Sequence, residues 1–349
     1  MDLVRDSIIT GMEKQDKNKI KFGVIGCSRI ALKRVLPAMR SSEYVELAMI
    51  GSRDLEKAKE VASRFNVNSQ GNYEEVLQNR NIDAVYISLP NSLHEEWTIK
   101  ACEAGKHVIC EKPAAISYIA AKRIIETAKK NNVRVLEGLM FHYHPQHLKV
   151  KELIEQGVLG DLIKFDGCLG FTMPEESDIA MKKNFEGGSL NSCAVYPISA
   201  SRMVFNEEPI SVFCKLEMDP RSGVDIRANI LLEYSEGRMA LASSFFGSYF
   251  QSTYGVLGTK AHIRMGRAFA VPSDMGTKIF IDSNDKVREI EFPPTDHFKL
   301  MLDDFCNEIL TSGENDRSYE KNLLAQTRIL EAARLSDAER RIVNISEIK

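Results

Sequence analysis

Ile20-Lys-Phe-Gly-Val-Ile-Gly-Cys-Ser-Arg-Ile-Ala31 is an apolar run that gives way to Gly26-x-Ser28-x-x-Ala31 and then to a helical pattern from Leu32 to Arg40. Strand, tight turn and helix N-terminus follow in the order that a dinucleotide pyrophosphate needs. Gly26 lets the turn bring backbone amides up to a phosphate, and Ala31 is small enough for close helix–sheet packing. Ser28 stands where a second glycine is usual, and its hydroxyl offers a further phosphate contact. Gly26, Cys27, Ser28, Arg29 and Ile30 are therefore the first expected cofactor-binding residues.

With 349 residues, 44% of them hydrophobic, the chain can build two domains with separate cores. The net charge of -3 is spread without a basic block, which argues against a nucleic-acid partner. The seven cysteines are scattered and sit in apolar contexts, so they read as reduced, buried side chains in a cytoplasmic protein. His142, His144 and His147 crowd together, but no nearby cysteine or carboxylate completes a ligand set, and no metal is expected. No apolar segment is long enough to span a bilayer, so no membrane partner is expected. Residues 1–18 are too charged for a secretory signal and read as a flexible extension, with Met12 as an alternative start.

From Ile20 to Leu139, strands and amphipathic helices alternate, the signature of a parallel, doubly wound Rossmann sheet over residues 19–142. Strands are expected at 21–25, 46–50, 84–89, 107–110 and 134–137, with helices at 54–65, 93–104 and 117–131. Residues 143–349 carry longer alternating strands, at 163–169, 210–217, 228–234, 239–245, 251–255, 261–265 and 278–282. These predict an α+β domain with a large, mostly antiparallel sheet, a leading helix at 146–156, and closing helices at 298–310 and 319–339 that can pack back on the first domain. Ile230, Leu232, Leu241 and Phe245 are expected on an open face covered by another subunit, in a homodimer or homotetramer.

Three constellations carry chemistry. At the end of the second strand, Gly51-Ser-Arg-Asp54 presents Ser52 and Arg53, with Lys57 one turn on, where a ribose-binding carboxylate is common. This favours the 2′-phosphate of NADP(H), with NAD(H) still possible. Next, Val108-Ile-Cys-Glu-Lys-Pro113 delivers Glu111 and Lys112 to the carboxyl edge of the sheet, where open α/β sheets bind ligands. The third is Gly187-Gly-Ser-Leu-Asn-Ser-Cys-Ala-Val-Tyr-Pro197.

Together with Leu89-Pro-Asn91 and His94, these stretches resemble the glucose-fructose oxidoreductase/inositol dehydrogenase (Gfo/Idh/MocA) family, above all its NDP-sugar 3-ketoreductase branch. The latter likeness runs through Leu36-Pro-Ala38, Phe141 to His147, Arg221 to Asp225 and Gly266 to Phe269. The resemblance implies that Leu89, Pro90, Asn91, His94, Glu111 and Lys112 join the cofactor site. Many members carry an Asp and, four residues later, a His in the third stretch; here those positions are Ser192 and Tyr196. Tyr196 is thereby implied as the proton donor, with Lys112 beside it to favour the phenolate and to stabilise an alkoxide.

Gln146, His147, Ser192, Tyr196 and Arg221, together with Arg227, are the expected substrate contacts. Trp97 reads as core. The expected reaction is NADP(H)-dependent reduction of a sugar or sugar-nucleotide ketone. Two alternatives remain: oxidation of a sugar, polyol or dihydrodiol, and a non-catalytic nucleotide-binding sensor.

Overall fold

The computed structural model describes residues 19–284, 286–311 and 317–349, so the expected extension over 1–18 lies outside the described residues. The chain opens with β1 (Ile20–Ile25), whose end meets Gly26 at φ +100°. A wide π turn (Ala31–Val35) then runs into α1 (Leu36–Ser41). Pro37 explains the wide turn: it has no N–H for the carbonyl four residues back, and its ring pushes that carbonyl away.

β2 (Val45–Gly51), α2 (Leu55–Arg64), β3 (Gln70–Gly71), α3 (Tyr73–Gln78), β4 (Ala84–Ile87), α4 (His94–Glu103), β5 (His107–Cys110), α5 (Tyr118–Lys130) and β6 (Val135–Glu137) complete a six-stranded parallel sheet in the order β3-β2-β1-β4-β5-β6. β3 and α3 were not anticipated. Asn72 and Glu75 form a capping box at the start of α3, and β3 is only two residues long.

The second layer begins with α6 (Pro145–Glu155) and β7 (Leu162–Phe171), followed by a long strap and α7 (Val195–Phe205). Then come β8 (Ser211–Met218), β9 (Asp225–Glu233), β10 (Met239–Phe246), β11 (Gln251–Gly258), β12 (His262–Met265), β13 (Thr277–Ser283), β14 (Lys286–Phe292), α8 (His297–Thr311), α9 (Ser318–Glu339) and β15 (Val343–Asn344). The nine strands order as β14-β13-β12-β11-β7-β10-β9-β8-β15, antiparallel except for β7 against β10. The fold is thus a parallel Rossmann sheet joined to a mostly antiparallel one.

The expected phase of β9 is corrected. Ile230 and Leu232 are fully buried under the helices, and Leu231 is the outward residue at 40% exposure. Leu231 pairs directly with Phe213 and Leu241 on the neighbouring strands, so the outward stripe is Phe213, Leu231 and Leu241.

α9 returns to the first sheet. Leu323 packs into its core, Arg134 Nε meets Glu320 at 3.0 Å, and Arg317 donates to the Val133 carbonyl at 2.7 Å. Trp97 packs edge-on to Tyr73, ring centroids 4.9 Å apart, within the first domain.

Candidate active site

The Gly26 turn has the geometry of a phosphate cradle. A Cβ there would lie 2.9 Å from both Leu89 Cδ2 and the Ser88 carbonyl, so glycine is required by close approach as well as by φ. Ser28 Oγ accepts from the Ala31 amide at 3.2 Å and starts the helix, an arrangement that leaves its O–H to donate. Cys27 Sγ faces the Gly51 carbonyl at 3.9 Å, and burial raises its pKa. Ile30 and Arg29 are exposed.

At the end of β2, Ser52 is buried and its Oγ accepts from the Asp54 amide at 3.2 Å. The Asp54 carboxylate in turn accepts from the Glu56 and Lys57 amides at 3.0 and 3.2 Å, which commits it to capping α2. Arg53 and Lys57 are exposed on this rim. These residues fit the adenosine end of a dinucleotide whose ribose carries a phosphate.

His94 does not face the cleft. It is 1% exposed and bridges two loops, with Nε2 at 2.9 Å from the Leu89 carbonyl and Nδ1 at 2.8 Å from the Pro113 carbonyl. Its role is to hold the ends of β4 and β5 at a fixed spacing. Asn91 donates to the Glu186 carbonyl at 2.8 Å, and Arg29 reaches Asp178 at 3.3 Å. The strap between β7 and α7 thereby lies across the cofactor turn.

Glu111 is turned inward, accepting from the Tyr86 hydroxyl at 2.8 Å, and burial raises its pKa. Glu137, at the end of β6, accepts from the Ala114 amide at 2.9 Å, and burial pushes its carboxyl up to about 7. Both carboxyls brace the turn that presents Lys112. Lys112 Nζ donates to the Ser192 carbonyl at 2.6 Å and lies 5.2 Å from the centroid of the Tyr196 ring.

Tyr196 sits in the first turn of α7 behind a second π turn (Leu190–Ala194), again with a proline, Pro197, just beyond. Its ring packs at 5.9 Å from Phe141 and 5.7 Å from Phe269, and its hydroxyl is 3.7 Å from Met140 Sδ. The expectation of a phenolate poised by Lys112 is not met in this state. Burial, reinforced by Glu111, holds the phenol well above its ordinary pKa. A protonated phenol beside an ammonium is an arrangement suited to donating a proton to a nascent alkoxide.

The other expected substrate residues are not gathered here. Gln146 and His147 are fully buried. Gln146 Nε2 donates to the Arg267 carbonyl at 2.9 Å, while His147 lies 2.9 Å from the Tyr254 hydroxyl and 2.8 Å from the Ala268 carbonyl. Both secure the 267–268 loop behind Phe269. Arg221 is exposed on the β8–β9 hairpin, 3.8 Å from Glu176 of the strap, and Arg227 is paired with Glu217 directly across the strands at 2.7 Å. His142 is also engaged, 2.7 Å from Ser199 Oγ.

Two residues to which the sequence reading gives no role of their own matter here. Asp225 Oδ2 accepts from Ser189 Oγ at 2.9 Å and from the Leu190 amide at 2.6 Å. Arg334 of α9 donates to the Ile116 carbonyl at 2.9 Å and to Asn191 Oδ1. Their partners lie 35 or more residues away in sequence, so no local pattern signals them.

Residues 20–139 match the family model described as "Oxidoreductase family, NAD-binding Rossmann fold", and residues 147–264 match the "GFO/IDH/MocA C-terminal domain". A dTDP-3,4-didehydro-2,6-dideoxy-alpha-D-glucose 3-reductase of Actinomadura kijaniata is 31% identical over 91% of this chain and 95% of its own length. A trans-1,2-dihydrobenzene-1,2-diol dehydrogenase of Xenopus tropicalis is 31% identical over 79% of this chain and 82% of its own. Among solved structures, a tyrosine-to-phenylalanine mutant of KijD10, a 3-ketoreductase from Actinomadura kijaniata in complex with TDP-benzene and NADP, superposes with a TM-score of 0.87 at 30% identity, covering 91% of this chain and 98% of that one. The glycine turn, the Glu-Lys-Pro edge and the tyrosine helix thus stand in a chain that belongs to the Gfo/Idh/MocA family of oxidoreductases.

Proposed function

We propose that the protein is an NADP(H)-dependent reductase of a ketone on a nucleotide-linked sugar, with Tyr196 as proton donor and Lys112 as the stabiliser of the developing alkoxide. The observation that carries the reading is the Lys112–Tyr196 pair at the carboxyl edge of the parallel sheet, Nζ 5.2 Å from the ring centroid. A bound nicotinamide would supply the hydride. The protein's own part is then threefold: Phe141, Phe269 and Met140 keep water from the phenol, Tyr196 Oη gives its proton to the carbonyl oxygen, and Lys112 Nζ faces the charge that forms there. The similar KijD10 structures hold NADP and TDP-benzene, and they include a tyrosine-to-phenylalanine and a lysine-to-alanine mutant, which supports testing a tyrosine and a lysine here.

The decisive experiment follows nicotinamide absorbance while dTDP-linked 3-keto and 4-keto sugars are offered with NADPH or NADH. Oxidation of NADPH with a 3-keto sugar nucleotide supports the proposal, and tight NADPH binding without turnover on any sugar would move belief to a sensor. The relatives that oxidise, including a D-xylose 1-dehydrogenase (NADP(+)) of Haloferax volcanii, favour a second reading in the opposite direction, tested by offering NADP+ with D-xylose and dihydrodiols.

The cofactor preference gives its own prediction. Asp54 is committed to its cap and Arg53 is the exposed cation at the ribose end, so Arg53→Ala should weaken NADPH binding by about 10–100-fold, the loss of one charge-assisted hydrogen bond. NADH binding should be unchanged, and fluorescence titration with both coenzymes checks it.

The outward stripe of Phe213, Leu231 and Leu241 suits burial against a second copy. Leu231→Lys is expected to shift light scattering from an oligomer towards the monomer mass; a wild-type monomer would contradict the assignment.

A further inference from the structure

Three consecutive residues ahead of Tyr196 are fixed by charges that arrive from two distant elements. From β9, Asp225 Oδ2 takes the Ser189 hydroxyl at 2.9 Å and the Leu190 amide at 2.6 Å. The approach is so close that a Cβ on Gly188, at φ +104°, would lie 2.2 Å from Asp225 Oδ1. From α9, Arg334 takes the next residue, donating to Asn191 Oδ1. The Asn191 amide then donates to the Glu186 carbonyl at 3.0 Å, the same oxygen that accepts from Asn91 at 2.8 Å.

Ser192 follows immediately, and its carbonyl is the acceptor for Lys112 Nζ at 2.6 Å. The other Arg334 amino group donates to the Ile116 carbonyl at 2.9 Å, in the turn just after Glu111-Lys-Pro113. Arg334 therefore holds both the segment that carries Lys112 and the segment that carries Tyr196. Buried charges of this kind cost desolvation, and burial does lower the Arg334 pKa and raise that of Asp225. Apolar packing would join α9 to these loops at less cost, but it would not fix their spacing with directional bonds.

We propose that Arg334, acting through Asn191 beside the grip of Asp225 on Ser189 and Leu190, is a positioning residue that sets the distance between Lys112 and Tyr196. The proposal rests on the catalytic reading of that pair. Neither residue touches the reacting atoms, so their loss moves the pair apart without emptying the substrate or cofactor site.

The test compares wild type with Arg334→Met, Arg334→Lys, Asn191→Ala and, as a separate check on the reading itself, Tyr196→Phe. The assay uses NADPH and dTDP-3,4-didehydro-2,6-dideoxyglucose generated in the reaction mixture. Arg334→Met should lower kcat by roughly 100-fold, the usual consequence of about 1 Å of misplacement, with KM and NADPH affinity held within about twofold. Arg334→Lys should recover part of the loss, and Asn191→Ala should lower kcat by about 10-fold.

Wild-type kcat in both Arg334→Lys and Asn191→Ala overturns the proposal. So does a fall in kcat matched by an equal rise in KM, with no recovery in Arg334→Lys, which marks a merely structural arginine. If Tyr196→Phe keeps full activity, the catalytic reading fails instead, and the proposal falls with it.

Discussion

Tyr196→Phe is expected to lower kcat for ketone reduction by about 10²–10⁴-fold, the range for loss of a positioned general acid, while NADPH binding stays at its wild-type value. The substitution is clean for a structural reason. The phenol oxygen donates to Met140 Sδ at 3.7 Å, a weak contact whose loss costs little. Ring packing against Phe141 and Phe269 survives in phenylalanine. The melting temperature should therefore move little, which separates a chemical loss from an unfolded enzyme.

Lys112→Met should be as damaging to kcat, but for another reason, because it removes the charge facing the alkoxide. It also leaves the Ser192 carbonyl without its 2.6 Å donor. Single-turnover absorbance traces with a 3-keto sugar nucleotide check both variants. A Tyr196→Phe enzyme within about tenfold of wild type would remove the phenol from the chemistry, since so small a change falls below the general-acid range.

How far such a site is legible in sequence depends on whether its partners are local. The Gly26 turn, the cap at Asp54 and the delivery of Lys112 to a sheet edge are encoded within a few residues of themselves, and the strand–turn–helix order announces them. The phase of β9 was misread for a physical reason. Ile230, Leu231 and Leu232 are three successive apolar residues, so alternation does not say which of them faces the core.

Gln146 and His147 misled in another way. Polar side chains at the start of the second domain look like ligand contacts, yet their partners at Tyr254, Arg267 and Ala268 lie more than 100 residues on and bury them completely. The roles of Asp225 and Arg334 were invisible from sequence for the same reason, since each is an ordinary charged residue until the fold brings a backbone to it.

That burial has a measurable consequence below neutral pH. His107, His142, His144 and His297 have pKa values lowered from 6.5 to about 4, 3, 4 and 3, chiefly by desolvation, and His147 is lowered as well. Among the described residues, no protein group partners either ring nitrogen of His297 or Nε2 of His144, so nothing there supports an imidazolium. The rings of His144 and His297 stand 5.8 Å apart, and a charge on one opposes a charge on the other.

With folded values below the unfolded one, the native state binds fewer protons than the unfolded chain. Stability is complete above pH 6.5 and falls as pH drops through that value towards about 4. Each ring costs about 2 kcal/mol by pH 5, so the four with stated values cost about 8 kcal/mol. Glu137 acts in the opposite sense. Its carboxyl, raised to about 7, gains protons in the native state over the same range. It returns about 2 kcal/mol, and Glu111 and Asp225, also raised, add in that direction.

The net loss of about 6 kcal/mol is a large share of a typical folding free energy of about 5–15 kcal/mol. Urea unfolding followed by circular dichroism and by Trp97 fluorescence should therefore show stability dropping steeply between pH 6.5 and 5. His297→Phe should flatten that slope by about 1.4 kcal/mol per pH unit, one proton's worth. A wild-type midpoint that does not fall over this interval, or a His297→Phe slope equal to wild type, would show that the imidazoles are charged and partnered in the native protein.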